Sequence, residues 1–531
     1  MRELSTDVVV VGGGATGVGA ARDAAMRGYS VVLVERADLG QGTTGRFHGL
    51  LHSGGRYVVS DPGSATECAA ENAIVGRINA DAVERTGGYF VTGPDDDPGF
   101  ADKFLAGAAT AGVPAKEIDV AEALRCEPRL NPGIRRAIEV QDGTVDGWQL
   151  VWGVARSAIG HGAKVLTYHR VTDIVVRNGA VEAVVCHDAK TGEDVRIACS
   201  FVINAGGPWS AQIARLAGCE DVEVIPGRGI MVAMSHRLVN RVINRCIYPA
   251  DGDILVPVHT VSIIGTTDVR AEDPDHLEIP RKEVQQMLDA GEVLVPGFRT
   301  SRALHAWAGA RPLVKDSRVS ASDTRHMSRG MSVLDHAERD NLKGLLTITG
   351  GKLTTYRLMA EHIIDRMCEQ LGDTRPCTTA DEPVPGSESG HNYLVTHRLK
   401  DREAERAPGS GDVPTDPIIC ECELMTRSMF LDLFEQQPDA GFDDLRRQLR
   451  LGMGPCQGGF CALRATGLAC DAGHADATAA TNALRRFLTN RWIGLWPILY
   501  GDQVRQTALD YWILQGTLDV EHLPETEEVA S

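Results

Sequence analysis

The chain lacks any apolar run long enough to cross a bilayer. Its longest late apolar stretch, 492–500 (WIGLWPILY), falls well short of the ~20 residues a membrane helix needs and contains a proline. It also lacks the pattern of a secretory leader: 1–7 is polar, and the apolar residues that follow belong to a strand. No basic run occurs, and the net charge is −18, which argues against a nucleic-acid partner. Short-period repeats and low-complexity tracts are absent too. The 13 cysteines are odd in number and scattered, which excludes a secreted disulfide framework. A soluble or peripheral protein of a reducing, cytoplasmic compartment is expected, in which clustered cysteines are candidate metal ligands. What remains is 531 residues, 43% hydrophobic and rich in glycine, enough for a large α/β enzyme of two to four folding units.

The most informative stretch is DVVVVGGGATGVGAARDAAMRGYSVVLVER, 7–36. Val8 to Val11 read as a strand buried on both faces, followed by Gly12, Gly14 and Gly17 in G-x-G-x-x-G spacing, a small-residue helix, a second apolar strand and Glu35. Gly12 permits the tight turn and Gly14 lets a pyrophosphate approach the backbone. Gly17 lets the helix lie close on the sheet. The helix N-terminus offers free N–H groups and a positive dipole end to phosphates. Glu35 ends the second strand, placed to accept hydrogen bonds from an adenosine ribose. Taken together, these parts describe a dinucleotide site.

Further along, ADLGQGTTGRFHGLLHSGGRY (37–57) has the composition of an ordered binding loop with two histidines. A meander with turns at Asn178-Gly179 and near Thr191-Gly192 fills 165–210. The interval 227–314 alternates strands with a helical stretch, EVQQMLDAGEVL, which describes an inserted mixed-sheet domain. TITGGKLTTYRLMAEHIIDRM repeats the strand–glycine–helix logic, with Leu353, Tyr356, Ala360 and Ile363 on one helical face. A stretch rich in Pro, Gly, Ser and charge reads as a linker. Beyond it a compact segment carries Cys420 and Cys422 as C-x-C, and Cys456 and Cys461 as C-x-x-x-x-C in a glycine-rich loop. Four thiolates on tight turns suit either a tetrahedral zinc or a [2Fe–2S] cluster. The last part looks helical and holds Trp492, Trp496 and Trp512.

With these residues in hand, the chain resembles FAD-dependent glycerol-3-phosphate dehydrogenases, most closely the large catalytic subunit of the anaerobic multisubunit type. The stretches that carry the resemblance include GGGATGVGAARDAAMRG, GRFHGLLHSGGRY, IIGTTDVR, GARPLV, LDHAERD, TITGGKLTTYRLMAEH, TRPCTTAD, CEC and GMGPCQGGFC. It implies an α/β fold of the D-amino-acid-oxidase-like superfamily. A Rossmann-like FAD-binding domain would be interleaved with a substrate domain over 1–385, the latter mainly 85–150 and 225–315. A linker (386–416), a [2Fe–2S] domain similar to bacterioferritin-associated ferredoxin (417–471) and a helical C-terminal segment (472–531) would follow.

The resemblance further implies oxidation of sn-glycerol 3-phosphate to dihydroxyacetone phosphate. Electrons would pass through the [2Fe–2S] cluster to B- and C-type partner subunits and the membrane quinone pool, at the inner face of the cell membrane. Arg311, Arg56, Tyr57 and Lys352 match family positions near the substrate, and guanidinium forks suit a phosphate dianion. His52 and His48 lie in the loop that the family places by the flavin, and histidine suits proton abstraction near neutrality. Gly12, Gly14, Gly17, Glu35, Arg36, Thr44, Gly45, His48, Gly206, Gly350, Lys352, Leu353 and Thr354 are the expected cofactor contacts. His259, alternating with apolar strand residues, reads as structural. GRGIMVAM stands where relatives have a Lys-Gly-Ser type segment, which leaves the surroundings of Arg228 open. The alternatives are a flavoenzyme of the same superfamily acting on a 2-hydroxy acid or secondary amine, and a non-enzymatic electron-transfer or iron–sulfur assembly protein.

Overall fold

The computed structural model describes residues 1–314, 330–390, 416–437 and 440–513. At its centre is a six-stranded sheet in the order Lys164–Leu166, Val31–Val34, Val8–Val11, Phe201–Asn204, Leu345–Gly350, Met331–Asp335. All neighbours pair in parallel except the last two, which are antiparallel. Every residue of the Val8–Val11 strand is buried because both of its edges and both of its faces are covered, as a run of four valines requires. The helix Ala15–Met26 packs against Gly147–Gly160 and Tyr356–Leu371. Its small residues make that approach possible: Ala20, Ala21 and Ala24 are fully buried, and Gly19 lies against Ala360 and Tyr356. Tyr356, Ala360 and Ile363 are buried in the same core, with Leu353 packed on its edge.

A four-stranded sheet (Arg2–Ser5, Asp194–Ala198, Ala180–Asp188, His169–Arg177) lies behind the central one. Its hairpin turns at Asn178 and Gly179, with φ of 52° and 73°, the paired positive values that a tight two-residue turn demands.

A third, mixed sheet joins strands from 85–150 to strands from 225–315. Gly88–Thr92 runs parallel to Val242–Arg245, and Arg136–Val140 and Ala115–Ile118 extend that edge. The long strands Val224–Met234 and Ala303–Val314 pair antiparallel over their length, which sets Gly227 opposite Arg311 and Arg228 opposite Ala310. The helix Arg281–Leu294 packs onto this sheet.

Residues 381–390 are anchored rather than loose. Val384 is buried against Gly153, and Ser387, inside the expected linker, is buried and donates to Asp81. The remainder of that linker, 391–415, and the end of the C-terminal segment, 514–531, lie outside the described residues.

The C-terminal part begins with a small hairpin, Ile418–Cys420 and Met425–Thr426. The helices Arg427–Gln436, Phe442–Leu449, Cys461–Asp471, Ala477–Leu495 and Gln503–Tyr511 follow. Phe430, Leu445, Cys461 and Ala465 form its core. Buried ion pairs fasten it to the N-terminal part, Arg447 Nε to Asp38 at 3.0 Å and Arg450 Nη1 to Asp146 at 2.7 Å, and His259 Nδ1 lies 3.2 Å from a Glu423 carboxylate oxygen. Among the described residues no helix is long and apolar enough to cross a membrane.

Candidate functional site

A cavity of about 1500 Å³ opens at the carboxyl ends of the parallel strands, where open α/β sheets bind their ligands. One end is the glycine turn. Gly12 has φ of 111°, and a Cβ there would lie 2.6 Å from the Ala205 carbonyl oxygen, so only glycine fits. Gly14 is the N-cap of the following helix and supplies no side-chain cap. A Cβ on Gly14 would meet only Thr44 Oγ1, at 3.3 Å, so the space beside it suits a ligand group. Ala15 N–H donates to Thr44 Oγ1 at 3.1 Å, and the rest of the helix start faces the cavity as an anion site.

Glu35 accepts from Gly13 N–H at 2.7 Å and Ala37 N–H at 3.0 Å, two of the roughly four lone-pair directions of a carboxylate. Burial raises its pKa, opposed by those amide bonds. The glycine cradle, the helix start and the acid at the strand end fit FAD: the turn and helix start would hold its pyrophosphate and Glu35 its ribose.

The other end is cationic. Arg311, on the strand Ala303–Val314, pairs through Nη1 with Asp268 at 3.3 Å and through Nη2 with the Thr266 hydroxyl and the Thr267 carbonyl. Arg56 lies in the short helical turn Gly55–Tyr57 and pairs with Asp253 at 2.7 Å. Lys352 Nζ donates to Ser64 Oγ at 2.9 Å and sits 4.7 Å from the Tyr57 ring centroid. The His52 ring is 5.5 Å from that of Tyr57 and 6.4 Å from that of His48. Thr354 Oγ1 accepts the backbone N–H of His52, tying the histidine loop to the glycine–helix segment.

His48 Nδ1 accepts from Leu50 N–H at 3.2 Å, which assigns its proton to Nε2. Burial, with Arg56 and Arg311 nearby, pushes His48 down to about 3. Its ring is therefore neutral at any physiological pH.

Most expected site residues line this one cavity. Gly12, Gly14, Glu35, Arg36, Thr44, His48, His52, Arg56, Tyr57, Gly206, Arg311, Gly350, Lys352, Leu353 and Thr354 all do so. Gly17 and Gly45 do not. A Cβ on Gly17 would lie 1.8 Å from the Gly12 carbonyl oxygen, so it serves the helix–turn contact. Gly45 is pressed against the Gly40 carbonyl and the Trp148 ring, so its smallness serves loop packing. Arg36 sits at the rim, paired with Asp275 at 2.6 Å and stacked 4.2 Å from the Trp209 ring centroid. Arg228 is turned away, held by Glu283 and the Glu278 carbonyl, both at 2.5 Å.

Sequence reasoning missed the carboxylates behind the arginines. Asp268 was legible as the acid of IIGTTDVR, whereas Asp253 carries no local signal.

Cys420, Cys422, Cys456 and Cys461 converge away from the cavity. The Cys461 thiol lies within hydrogen-bond reach of those of Cys420 and Cys456, and the Cys422 thiol reaches that of Cys456. Hydrogen bonds from its neighbours' thiols draw Cys456 down, and the same contacts push Cys422 and Cys461 up. As a donor set, four thiols suit a metal centre.

Residues 7–357 match the family model described as FAD dependent oxidoreductase. The chain is 42% identical to the A-type subunit of the anaerobic glycerol-3-phosphate dehydrogenase of Escherichia coli over 97% of each chain. It is also 42% identical to the A1-type subunit of the anaerobic enzyme from Haloferax volcanii, over 98% of this chain and 92% of that one. In fold it is similar to the glycerol-3-phosphate dehydrogenase of Bacillus halodurans complexed with FAD, with a TM-score of 0.64 at 21% identity, covering 94% and 96% of the two chains. The cradle, the cationic end and these relatives converge on one conclusion: the chain belongs to the FAD-dependent oxidoreductase family and, within it, to the A-type subunits of anaerobic glycerol-3-phosphate dehydrogenases.

Proposed function

We propose that this chain oxidises sn-glycerol 3-phosphate to dihydroxyacetone phosphate, with FAD held in the large cavity. The observation that carries the reading is the continuity of a dinucleotide cradle with an end bearing Arg56, Arg311 and Lys352. FAD, when bound, supplies the acceptor for the hydride on C2 of the substrate. The protein's own groups do the rest. Arg311 and Arg56 bind the phosphate dianion, each oriented by a carboxylate behind it. Lys352, stacked on Tyr57, holds substrate and balances negative charge at the glycine–helix segment.

His52 takes the C2 hydroxyl proton as the carbonyl forms. His48 is unsuited to that task, because a ring pushed down to about 3 has little basicity. It acts as an Nε2–H donor.

The four cysteines hold a [2Fe–2S] cluster in this proposal, which divides the electron pair into single electrons for B- and C-type partner subunits and, through them, the quinone pool. Zinc at the same thiolates is the competing occupant. The apolar face around Trp496, which is 74% exposed, is the proposed docking face, at the inner side of the cell membrane.

Anaerobic titration with sn-glycerol 3-phosphate tests substrate and relay together. Stoichiometric bleaching of the flavin, followed by loss of iron–sulfur absorbance, is expected. No bleaching by this substrate, with bleaching by a 2-hydroxy acid or secondary amine, overturns the substrate assignment. Zinc by metal analysis without visible iron–sulfur bands overturns the relay.

A further inference from the structure

Asp253 does not line the cavity, yet the two cavity features nearest it both depend on its carboxylate. It precedes the strand Ile254–Val258, and only 2% of it is exposed. Its Oδ2 accepts from Arg56 Nη1 at 2.7 Å and from Ala250 N–H at 2.8 Å. Its Oδ1 is buried without a hydrogen-bond partner. A buried carboxylate with one empty oxygen relies on its cation, and the paired cation is Arg56, whose side chain is itself 13% exposed. The acid cannot drift to meet the arginine, because its own carbonyl accepts Arg245 N–H at 2.9 Å and so belongs to the sheet. Tyr248, Ala250 and Asp251 of the preceding loop face the same cavity as Arg56.

We propose that Asp253 is the positioning residue of the phosphate site. It ties one Nη of Arg56 and the amide of the Tyr248–Asp251 loop to a single carboxylate oxygen, so that the remaining edge of the guanidinium is presented to the substrate together with that loop. The inference rests on reading the cavity as a glycerol 3-phosphate site. A guanidinium held along one edge keeps its other edge pre-oriented for a bidentate anion, where a free arginine must first be ordered. Arg311 is less dependent on its acid, since the Thr266 hydroxyl and the Thr267 carbonyl also hold it.

The test is a double-mutant cycle on the FAD-loaded protein with Asp253→Asn, Arg56→Ala and both together. Three quantities are read: KM and kcat for sn-glycerol 3-phosphate, FAD content, and the affinity for inorganic phosphate followed by flavin absorbance. Asp253→Asn is expected to raise KM about tenfold with little change in kcat, and to weaken phosphate by a similar factor with FAD retained. The double variant is expected to be no worse than Arg56→Ala alone, because the acid acts through the arginine. Asp253→Glu, which keeps the charge, should recover part of the loss, and it stands in if Asp253→Asn fails to fold. Additive losses in the double variant, or an unchanged KM in Asp253→Asn, overturn the proposal. If the wild-type flavin is not reduced by glycerol 3-phosphate, the substrate reading fails instead, and the phosphate-affinity cycle still decides the role of Asp253.

Discussion

Two histidines facing one cavity are chemically unequal, and the difference comes from their neighbours. His48 is half-buried beside two arginines and is pushed down to about 3, whereas His52 is held through its backbone and keeps its ring toward Tyr57. Replacing His52 by Gln should lower kcat by about 10²–10⁴-fold. Replacing His48 by Gln should leave the pH–rate profile between pH 5 and 8 unchanged in shape, since a ring pushed down to about 3 does not titrate there. The same depression has a sign for stability. With the folded value below the ordinary 6.5, His48 binds a proton more readily when unfolded. Its contribution is complete above about pH 6.5 and declines as pH falls toward 3. Thermal melts across that window should therefore show wild type losing more stability than His48→Gln as the pH is lowered. At the phosphate end, Arg311→Ala should raise KM for glycerol 3-phosphate by one to two orders of magnitude, about what a lost charged contact costs, with FAD still bound. An unchanged KM removes Arg311 from that end.

At the scale of elements, what is legible in the sequence is what physics makes local. The turn between Val8–Val11 and Ala15–Met26 needs glycine at fixed offsets, so spacing alone locates it, and the strand–glycine–helix repeat at 345–371 is found in the same way. Gly17→Ala tests how tight that element is. Its Cβ would lie 1.8 Å from a backbone oxygen that no side-chain movement can relieve. A loss of about 1–3 kcal/mol, typical of overpacking, is expected together with reduced FAD content, measured by denaturant unfolding and by flavin absorbance. Gly45 reads as a cofactor contact because it sits in a glycine-rich loop, but such a loop gives no sign of which glycines face a ligand and which face Trp148. Asp253 is illegible for a related reason. Its partner Arg56 is far away in sequence, brought near only when the substrate sheet closes over the loop 37–57.

The whole molecule depends on how the cysteine-bearing part is seated on the FAD-binding part, and here composition is a poor guide. A Pro-, Gly- and Ser-rich connection suggests independence, but Val384 and Ser387 are buried and a set of charges crosses the junction. Arg450 is central to that set. It pairs with Asp146 at 2.7 Å and approaches Glu423 at 3.4 Å, and both acid side chains are fully buried. His259 lies not in a strand, as its apolar neighbours suggest, but in the turn between Ile254–Val258 and Val261–Gly265 with φ of 51°, and there it approaches Glu423. Glu423 directly follows Cys422, and Asp146 caps the helix Gly147–Gly160, whose first glycine lies against the Thr44 carbonyl of the cofactor loop. The junction is thus a short chain of charges between the cysteines and the cofactor wall. Removing the cation by Arg450→Ala leaves buried carboxylates without it, a change that costs about 3–5 kcal/mol where such pairs have been broken. Lower thermal stability is expected, with faster amide exchange concentrated in 417–471 and at the start of the helix Gly147–Gly160. If exchange rises instead uniformly along the chain, Arg450 contributes only to global stability. A localised rise means that this charge chain seats the cysteine-bearing part on the FAD-binding part, and flavin reduction by substrate should then be unchanged in the same variant.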